Sequence, residues 1–277
     1  MPDFSLPSLL SDLLPAPPAL ALFLLLISPA VGSFLALLAD RLPRGESAVT
    51  PRSHCRSCAH PLRAWDLLPV LSFTLNRGCC RYCGAAIAPW HLYTELAALG
   101  LAALALGLGG SAPEIALTAL ALWLLWVLAL CDLLWFRLPD ILTATLALLA
   151  LAWAGAVQIS LIPAPPHPLL PQTIGQALTG GGIGVASLWL LRLGYQYLRN
   201  RAGLGLGDVK LMAGLGGLTG AWLLPHLLLL AALLALAGAV ISARCQRRAL
   251  KASRALPFGA ALCASAALIW LLARLPY

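Results

Sequence analysis

The heptapeptide GLGDVKL, residues 205–211, begins one of the apolar segments that define the fold of this chain. Asp208 follows two glycines, Gly205 and Gly207, and Lys210 lies two residues further on. A carboxylate at a membrane boundary is costly and is therefore usually functional. Glycines let a substrate backbone approach closely. A structural role also fits, because the helix dipole stabilises an acid at a helix N-terminus.

The composition is that of a polytopic membrane protein. The chain has 277 residues, of which 61% are hydrophobic and 10% charged, and its mean hydropathy is +0.89. A soluble globular protein does not reach these values. The net charge of +8 does not indicate a nucleic-acid partner, because the charges lie in short connections between apolar runs. No basic stretch precedes the first apolar run, so we expect no cleavable signal peptide.

Long apolar runs predict an all-α fold with about eight transmembrane helices. The sixth run is short and rich in glycine, so we expect a half-helix or a broken helix there. The eight segments are residues 18–39, 91–109, 113–132, 139–160, 173–194, 208–221, 222–243 and 256–273.

The basic residues predict the orientation of these segments. If the N-terminus is outside, all but one of the 18 Lys and Arg residues lie on one side, and the exception is Arg274. The positive-inside rule makes that side cytoplasmic and the N-terminus periplasmic. The connections on this side are residues 40–90, 133–138, 195–207 and 244–255.

The connection at 40–90 carries a pattern of metal-binding cysteines. Two Cys-x-x-Cys knuckles lie 21 residues apart, a spacing typical of a four-thiolate zinc site. Cytoplasmic thiols stay reduced, so a disulfide is the less favoured interpretation. Cys79 adjoins the second knuckle, and we favour Cys80 as the ligand because it gives two equal spacings. The predicted ligands are Cys55, Cys58, Cys80 and Cys83. Four thiolates leave no open position, so this zinc would be structural.

Two acids are placed at the same membrane face by this topology. Asp132 ends the third segment and Asp208 begins the sixth. Two carboxylates in a cleft of low dielectric share a proton, which suits the activation of water against a peptide carbonyl. Proton relay in a transporter and a structural role remain equally open at this point. We expect Asp140 to cap the fourth helix. Glu95 either pairs with an arginine of the loop or belongs to a site.

Short blocks along nearly the whole chain match one family. They are GSFL at 32–35, RLP at 41–43, both cysteine knuckles, DLLPVLS at 66–72, RG at 77–78, RYCG at 81–84, Asp132 with LPD at 138–140, GLGDVKL at 205–211 and PFG at 257–259. In these blocks the chain resembles the bacterial prepilin peptidases, which are membrane aspartyl proteases of the Gly-x-Gly-Asp type.

The resemblance implies a function and a cellular location. Such enzymes cut the basic leader from type IV prepilins or type II secretion pseudopilins at the cytoplasmic face of the bacterial inner membrane. Many then methylate the new N-terminal amine with S-adenosylmethionine. The two catalytic aspartates of the family correspond to Asp132 and Asp208. Gly205, Gly207 and Lys210 then border the path of the substrate, and membrane lipid is a further partner.

One departure concerns the methyl transfer. The family usually has Asn-Val after Gly-Ser-Phe-Leu, whereas Ala36 and Leu37 stand here. In the family, methyl transfer is associated with the cytoplasmic loop, and Glu95 lies just beyond this loop.

The predicted organisation has three parts: a first segment (1–39), a zinc-binding loop domain (40–90) and a peptidase domain (91–277). The alternatives are a cation-coupled transporter that uses the two carboxylates, and a zinc-stapled assembly factor without chemistry.

Overall fold

The computed structural model describes residues 17–199, 203–245 and 256–275. Within these residues the chain is helical, and the β-structure consists of two isolated bridges, His54 with Pro61 and Cys79 with Ala86. The α-helices are α1 (Pro18–Arg41), α2 (Leu71–Leu75), α3 (Trp90–Leu108), α4 (Ala112–Trp135), α5 (Asp140–Gln158), α6 (Ile174–Arg199), α7 (Leu206–Thr219), α8 (Leu224–Cys245) and α9 (Phe258–Leu272).

Six of the described helices are long and apolar enough to cross a membrane, which agrees with a multi-pass membrane protein. They are α1, α3, α4, α5, α6 and α8. Helix α7 has 14 residues and α9 has 15, so each rises only about 21–23 Å against a hydrocarbon core of about 30 Å. The all-α membrane fold is thus confirmed, while the count of eight transmembrane helices stays a prediction.

The chain forms two compact units that meet in sequence within α4, the first ending at Trp123 and the second beginning at Leu124. In the first unit α1 and α3 cross at Gly32. A Cβ on Gly32 would lie 2.6 Å from the Glu95 Cα, so only glycine permits this approach. The Trp123 indole N–H donates to the Ala98 carbonyl at 2.9 Å and fastens α4 to α3.

A buried arginine holds the start of the loop domain in the first unit. Arg41, at the end of α1, is 6% exposed. Its guanidinium donates to the carbonyl groups of Ser47 and Pro51 at 3.1 Å and 2.8 Å. A buried charge requires such partners, and these bonds fold the chain back onto the helix end.

In the second unit the short helix α7 lies in the middle of the packing. Gly214 and Gly217 contact α5, where added Cβ atoms would lie 2.7 Å from the Leu146 Cγ and 3.0 Å from the Ala150 Cβ. Gly216 contacts the backbone of α6 at Gly180. Small residues let helix backbones approach closely where lipid offers no hydrophobic driving force. The glycines of α7 therefore serve helix packing.

Candidate active site

Asp132 and Asp208 lie side by side in the second unit. Asp132 is in the last turn of α4 and Asp208 in the first turn of α7, and both are buried. The position that a Cβ would take on Gly259 is 3.1 Å from the Asp132 Cγ and 2.9 Å from the Asp208 Oδ1. Both carboxyl groups thus surround one point in space. The two acids that the topology placed at one membrane face are neighbours in the fold.

The start of α9 contacts this pair of carboxyl groups. The Ala260 N–H donates to the Asp132 Oδ2 at 2.8 Å. This amide belongs to the first turn of α9, where N–H groups have no partner within the helix and the dipole is positive. It therefore stabilises negative charge on Asp132, which otherwise faces the unfavourable C-terminal end of α4.

Gly259 is a residue that the sequence reasoning did not include in the site. It stands in the matching block at 257–259, but its role depends on a contact with residues more than fifty positions away. Its missing side chain leaves space for both carboxyl groups and for the Leu138 Cδ1, which lies 3.0 Å from the same point. Any larger residue would enter the space between Asp132 and Asp208.

The two glycines before Asp208 have different surroundings. A Cβ on Gly207 would lie 3.0 Å from the Leu138 Cβ, so this glycine lets the segment after α4 pack onto α7. A Cβ on Gly205 would lie 3.4 Å from the Asp208 Oδ2, which is ordinary van der Waals contact. It stays a prediction that a substrate backbone lies beside these glycines. Gly205 fits this role better than Gly207, because Leu138 already covers Gly207.

Asp140 does not cap α5, contrary to our expectation. The N-cap residue is Pro139, whose proline ring offers no side-chain acceptor, and Asp140 is the first residue of the helix. Its carboxylate binds the Lys210 ammonium instead, at 2.7 Å and 2.8 Å. Lys210 thus pairs with Asp140.

The four predicted zinc ligands come together in the first unit. The sulfur atoms of Cys55, Cys58, Cys80 and Cys83 all lie within 4.8 Å of one another. The sulfur atoms of Cys55 and Cys83 are 3.9 Å apart. A tetrahedral zinc with Zn–S bonds of about 2.3 Å separates its sulfurs by about 3.8 Å, so this arrangement fits the ion. The Cys79 thiol lies outside the cluster and donates to the Arg77 carbonyl.

Hydrogen bonds and ion pairs support the first knuckle. The backbone N–H groups of Cys58 and Ser57 lower the pKa of the Cys55 thiol to about 6, which favours the thiolate that binds metal. Arg56, between the two cysteines, donates hydrogen bonds to Asp40 and Glu46 through the two N–H edges of its guanidinium. The knuckle is thereby tied to the end of α1.

Glu95 is engaged by the loop domain. Its Oε2 accepts a hydrogen bond of 2.7 Å from the Val70 N–H, and the side chain is buried. Val70 has a φ of +60°, a conformation that is costly for a β-branched residue and persists only where the surroundings impose it. Glu95 therefore anchors a strained turn of the loop. The sequence suggested that Glu95 pairs with an arginine of the loop or belongs to a site. The hydrogen bond observed is with the backbone of Val70 and not with an arginine.

Comparison with known proteins gives the family. A sequence profile of the bacterial peptidase A24 N-terminal domain matches residues 26–107, and one of the type IV leader peptidase family matches residues 119–240. A prepilin leader peptidase/N-methyltransferase of Burkholderia pseudomallei is 36% identical over 230 residues, or 82% of this chain and 69% of the relative. The chain belongs to the type IV leader peptidase family.

Other relatives in this family are matched over more of their own length. A prepilin leader peptidase/N-methyltransferase of Klebsiella pneumoniae is 35% identical over 76% of this chain and 89% of its own length. The protein of the same description from Pseudomonas aeruginosa is 29% identical over 95% and 94%. No solved structure shows a significant match. The resemblance that the short sequence blocks indicated is thus confirmed at the level of the family.

Proposed function

We propose that this protein is a membrane aspartyl endopeptidase that removes the basic leader from type IV prepilins or type II secretion pseudopilins. The observation that carries the proposal is the meeting of the Asp132 and Asp208 carboxyl groups around Gly259. Membership of the leader peptidase family supports it, since the relatives are prepilin leader peptidases by description. The cleavage would take place at the cytoplasmic face of the bacterial inner membrane, where the basic connections lie.

The surroundings of the two carboxyl groups suggest different roles for them. Both acids lie at the first turn of a helix, Asp208 within α7 and Asp132 beside α9, but the Ala260 N–H donates a hydrogen bond of 2.8 Å to Asp132. Asp132 would then be the ionised base, and Asp208 would hold the shared proton, because two buried carboxylates cannot both ionise easily.

The reaction then follows from these protonation states. Asp132 takes a proton from water, and the water oxygen bonds to the scissile carbonyl carbon while Asp208 donates its proton to the carbonyl oxygen. The tetrahedral species collapses, Asp132 gives its proton to the amide nitrogen, and the C–N bond breaks. Asp208 recovers its proton from the hydroxyl group as the new carboxyl group forms. The enzyme returns to its starting protonation state.

The cysteine cluster would hold a zinc ion that folds the loop domain. Its four thiolates complete a tetrahedron, so the ion takes no part in hydrolysis. Membrane lipid would surround the apolar helices.

Methylation of the new N-terminus with S-adenosylmethionine rests on the family and on the descriptions of the relatives. The carboxylate of Glu95, the residue that we associated with this activity, accepts a hydrogen bond from the Val70 N–H. In this arrangement it positions the loop, and we assign it no contact with a cofactor.

The test is cleavage of a purified prepilin by the full-length protein in lipid. Asp132→Asn and Asp208→Asn should each lower kcat by at least about 1,000-fold, because each removes one half of the acid–base pair. Mass spectrometry of the product gives the cleavage position, and a gain of one methyl group reports the second activity. Cleavage by either variant at the wild-type rate would exclude that residue from the mechanism.

A further inference from the structure

An exposed ion pair joins the two chain segments that border the carboxyl pair. Lys210 binds both oxygens of Asp140, and the two side chains are 52% and 73% exposed. An ion pair this exposed contributes on the order of 0–1 kcal/mol to stability. Its two partners can therefore separate at little cost to the fold, and either can bind another charge.

The ion pair is held beside the proposed catalytic groups by a second contact between the same segments. Leu138 lies against Gly207 and against the space between Asp132 and Asp208. Two residues after Leu138 and three residues after Gly207, Asp140 meets Lys210. Residues 138 and 140 are at most roughly 7 Å apart along an extended backbone. The side chains of Leu138 and Asp140 add to this separation, so the Asp140 carboxylate lies within about 15 Å of the carboxyl pair, or roughly five extended substrate residues.

Asp140 is also the accessible acid of this unit. The sequence from residue 124 to the C-terminus contains three acidic side chains, and the other two are the buried Asp132 and Asp208. The remaining charged side chains of this stretch are basic. A cation that approaches the site thus meets one exposed carboxylate, which Lys210 neutralises in the free protein.

We propose that Asp140 receives a basic side chain of the substrate, which replaces Lys210 in the ion pair. This inference deepens the proposed function and rests on it, because it takes the substrate to be a leader peptide with a positive charge. The basic residue should lie within about five positions of the scissile bond, on the leader side. The exchange explains how a cationic leader binds at a site whose surroundings are basic, because the leader replaces Lys210 as the partner of Asp140.

The test compares two substrates and the two partners of the ion pair. One prepilin carries lysine at the basic leader position nearest the scissile bond, and the other carries glutamine at that position. With the lysine substrate, Asp140→Asn should raise KM by about three- to tenfold, since it removes a charge-assisted contact, whereas Lys210→Gln should lower KM because it removes the competing cation. With the glutamine substrate, which brings no cation to Asp140, these opposite changes in KM should disappear.

The opposite signs of the two effects separate exchange from a structural role. If the ion pair only holds the segments together, both variants will impair both substrates in the same direction, and the inference is wrong. Glu114→Gln, with the same change of charge in the first turn of α4, controls for the net charge and should alter neither KM. Failure of the wild type to cut either substrate would instead contradict the proposed peptidase function.

Discussion

At the scale of the residue, Gly259 decides whether Asp132 and Asp208 can meet. An alanine there would place its Cβ 2.9 Å from the Asp208 Oδ1 and 3.1 Å from the Asp132 Cγ. Both carboxyl groups would have to move, and a misplacement of about 1 Å can cost roughly 100-fold in rate. We expect Gly259→Ala to lower kcat/KM for prepilin cleavage by about 100-fold, measured with the purified protein.

A second glycine of the same unit gives the matched control. Gly182, in α6, has no atom within 4 Å of the position of an added Cβ. Gly182→Ala should keep full activity and leave the unfolding temperature unchanged or slightly higher, because alanine favours helix over glycine. Wild-type cleavage by Gly259→Ala would contradict the geometry that we describe for the carboxyl pair.

The sequence places Asp132 and Asp208 at one membrane face, because hydropathy and charge give each segment a direction. It does not show the contact of Gly259 with them, nor the pairing of Asp140 with Lys210. Such contacts join residues that are far apart in sequence and depend on how α4, α7 and α9 pack. A local pattern therefore predicts a cap for Asp140, and the tertiary contact with Lys210 overrides it.

At the scale of the element, the paired knuckles give a sharp prediction about metal content. Cys80 lies in the sulfur cluster, whereas its neighbour Cys79 points to the Arg77 carbonyl. Cys80→Ser should lose bound zinc and make the loop domain more sensitive to proteolysis, because the loop has no core large enough to fold alone. Cys79→Ser should keep one zinc per chain, as measured by elemental analysis.

The reverse result, with zinc lost from Cys79→Ser and kept by Cys80→Ser, would show that the second knuckle uses the other register. Equal spacing of the two knuckles in the sequence already favours Cys80 as the ligand.

Two features of the loop are not predicted by the sequence: the short helix Leu71–Leu75 and the strained turn at Val70. They depend on the Glu95 carboxylate and on packing within the first unit.

At the scale of the whole molecule, the helices lie close to the apolar segments of the sequence. The third segment, predicted at 113–132, is helix Ala112–Trp135, and the seventh, predicted at 222–243, is Leu224–Cys245. Hydropathy works well here because backbone groups in lipid must be bonded within a helix. Helix α7 ends at Thr219, because the next residue, Gly220, has a φ of +79° and leaves the helical conformation.

The orientation of these helices can be tested across a single helix, α6. Reporter fusions after His167 and after Gly203 flank this helix, and the positive-inside rule places the first outside and the second inside. Alkaline phosphatase should be active only after His167, and a green fluorescent protein should fluoresce only after Gly203. The opposite pattern would put the carboxyl pair on the periplasmic side of the membrane. A leader that stays in the cytoplasm could not reach it there. Equal signals at both positions would mean that α6 does not cross the membrane.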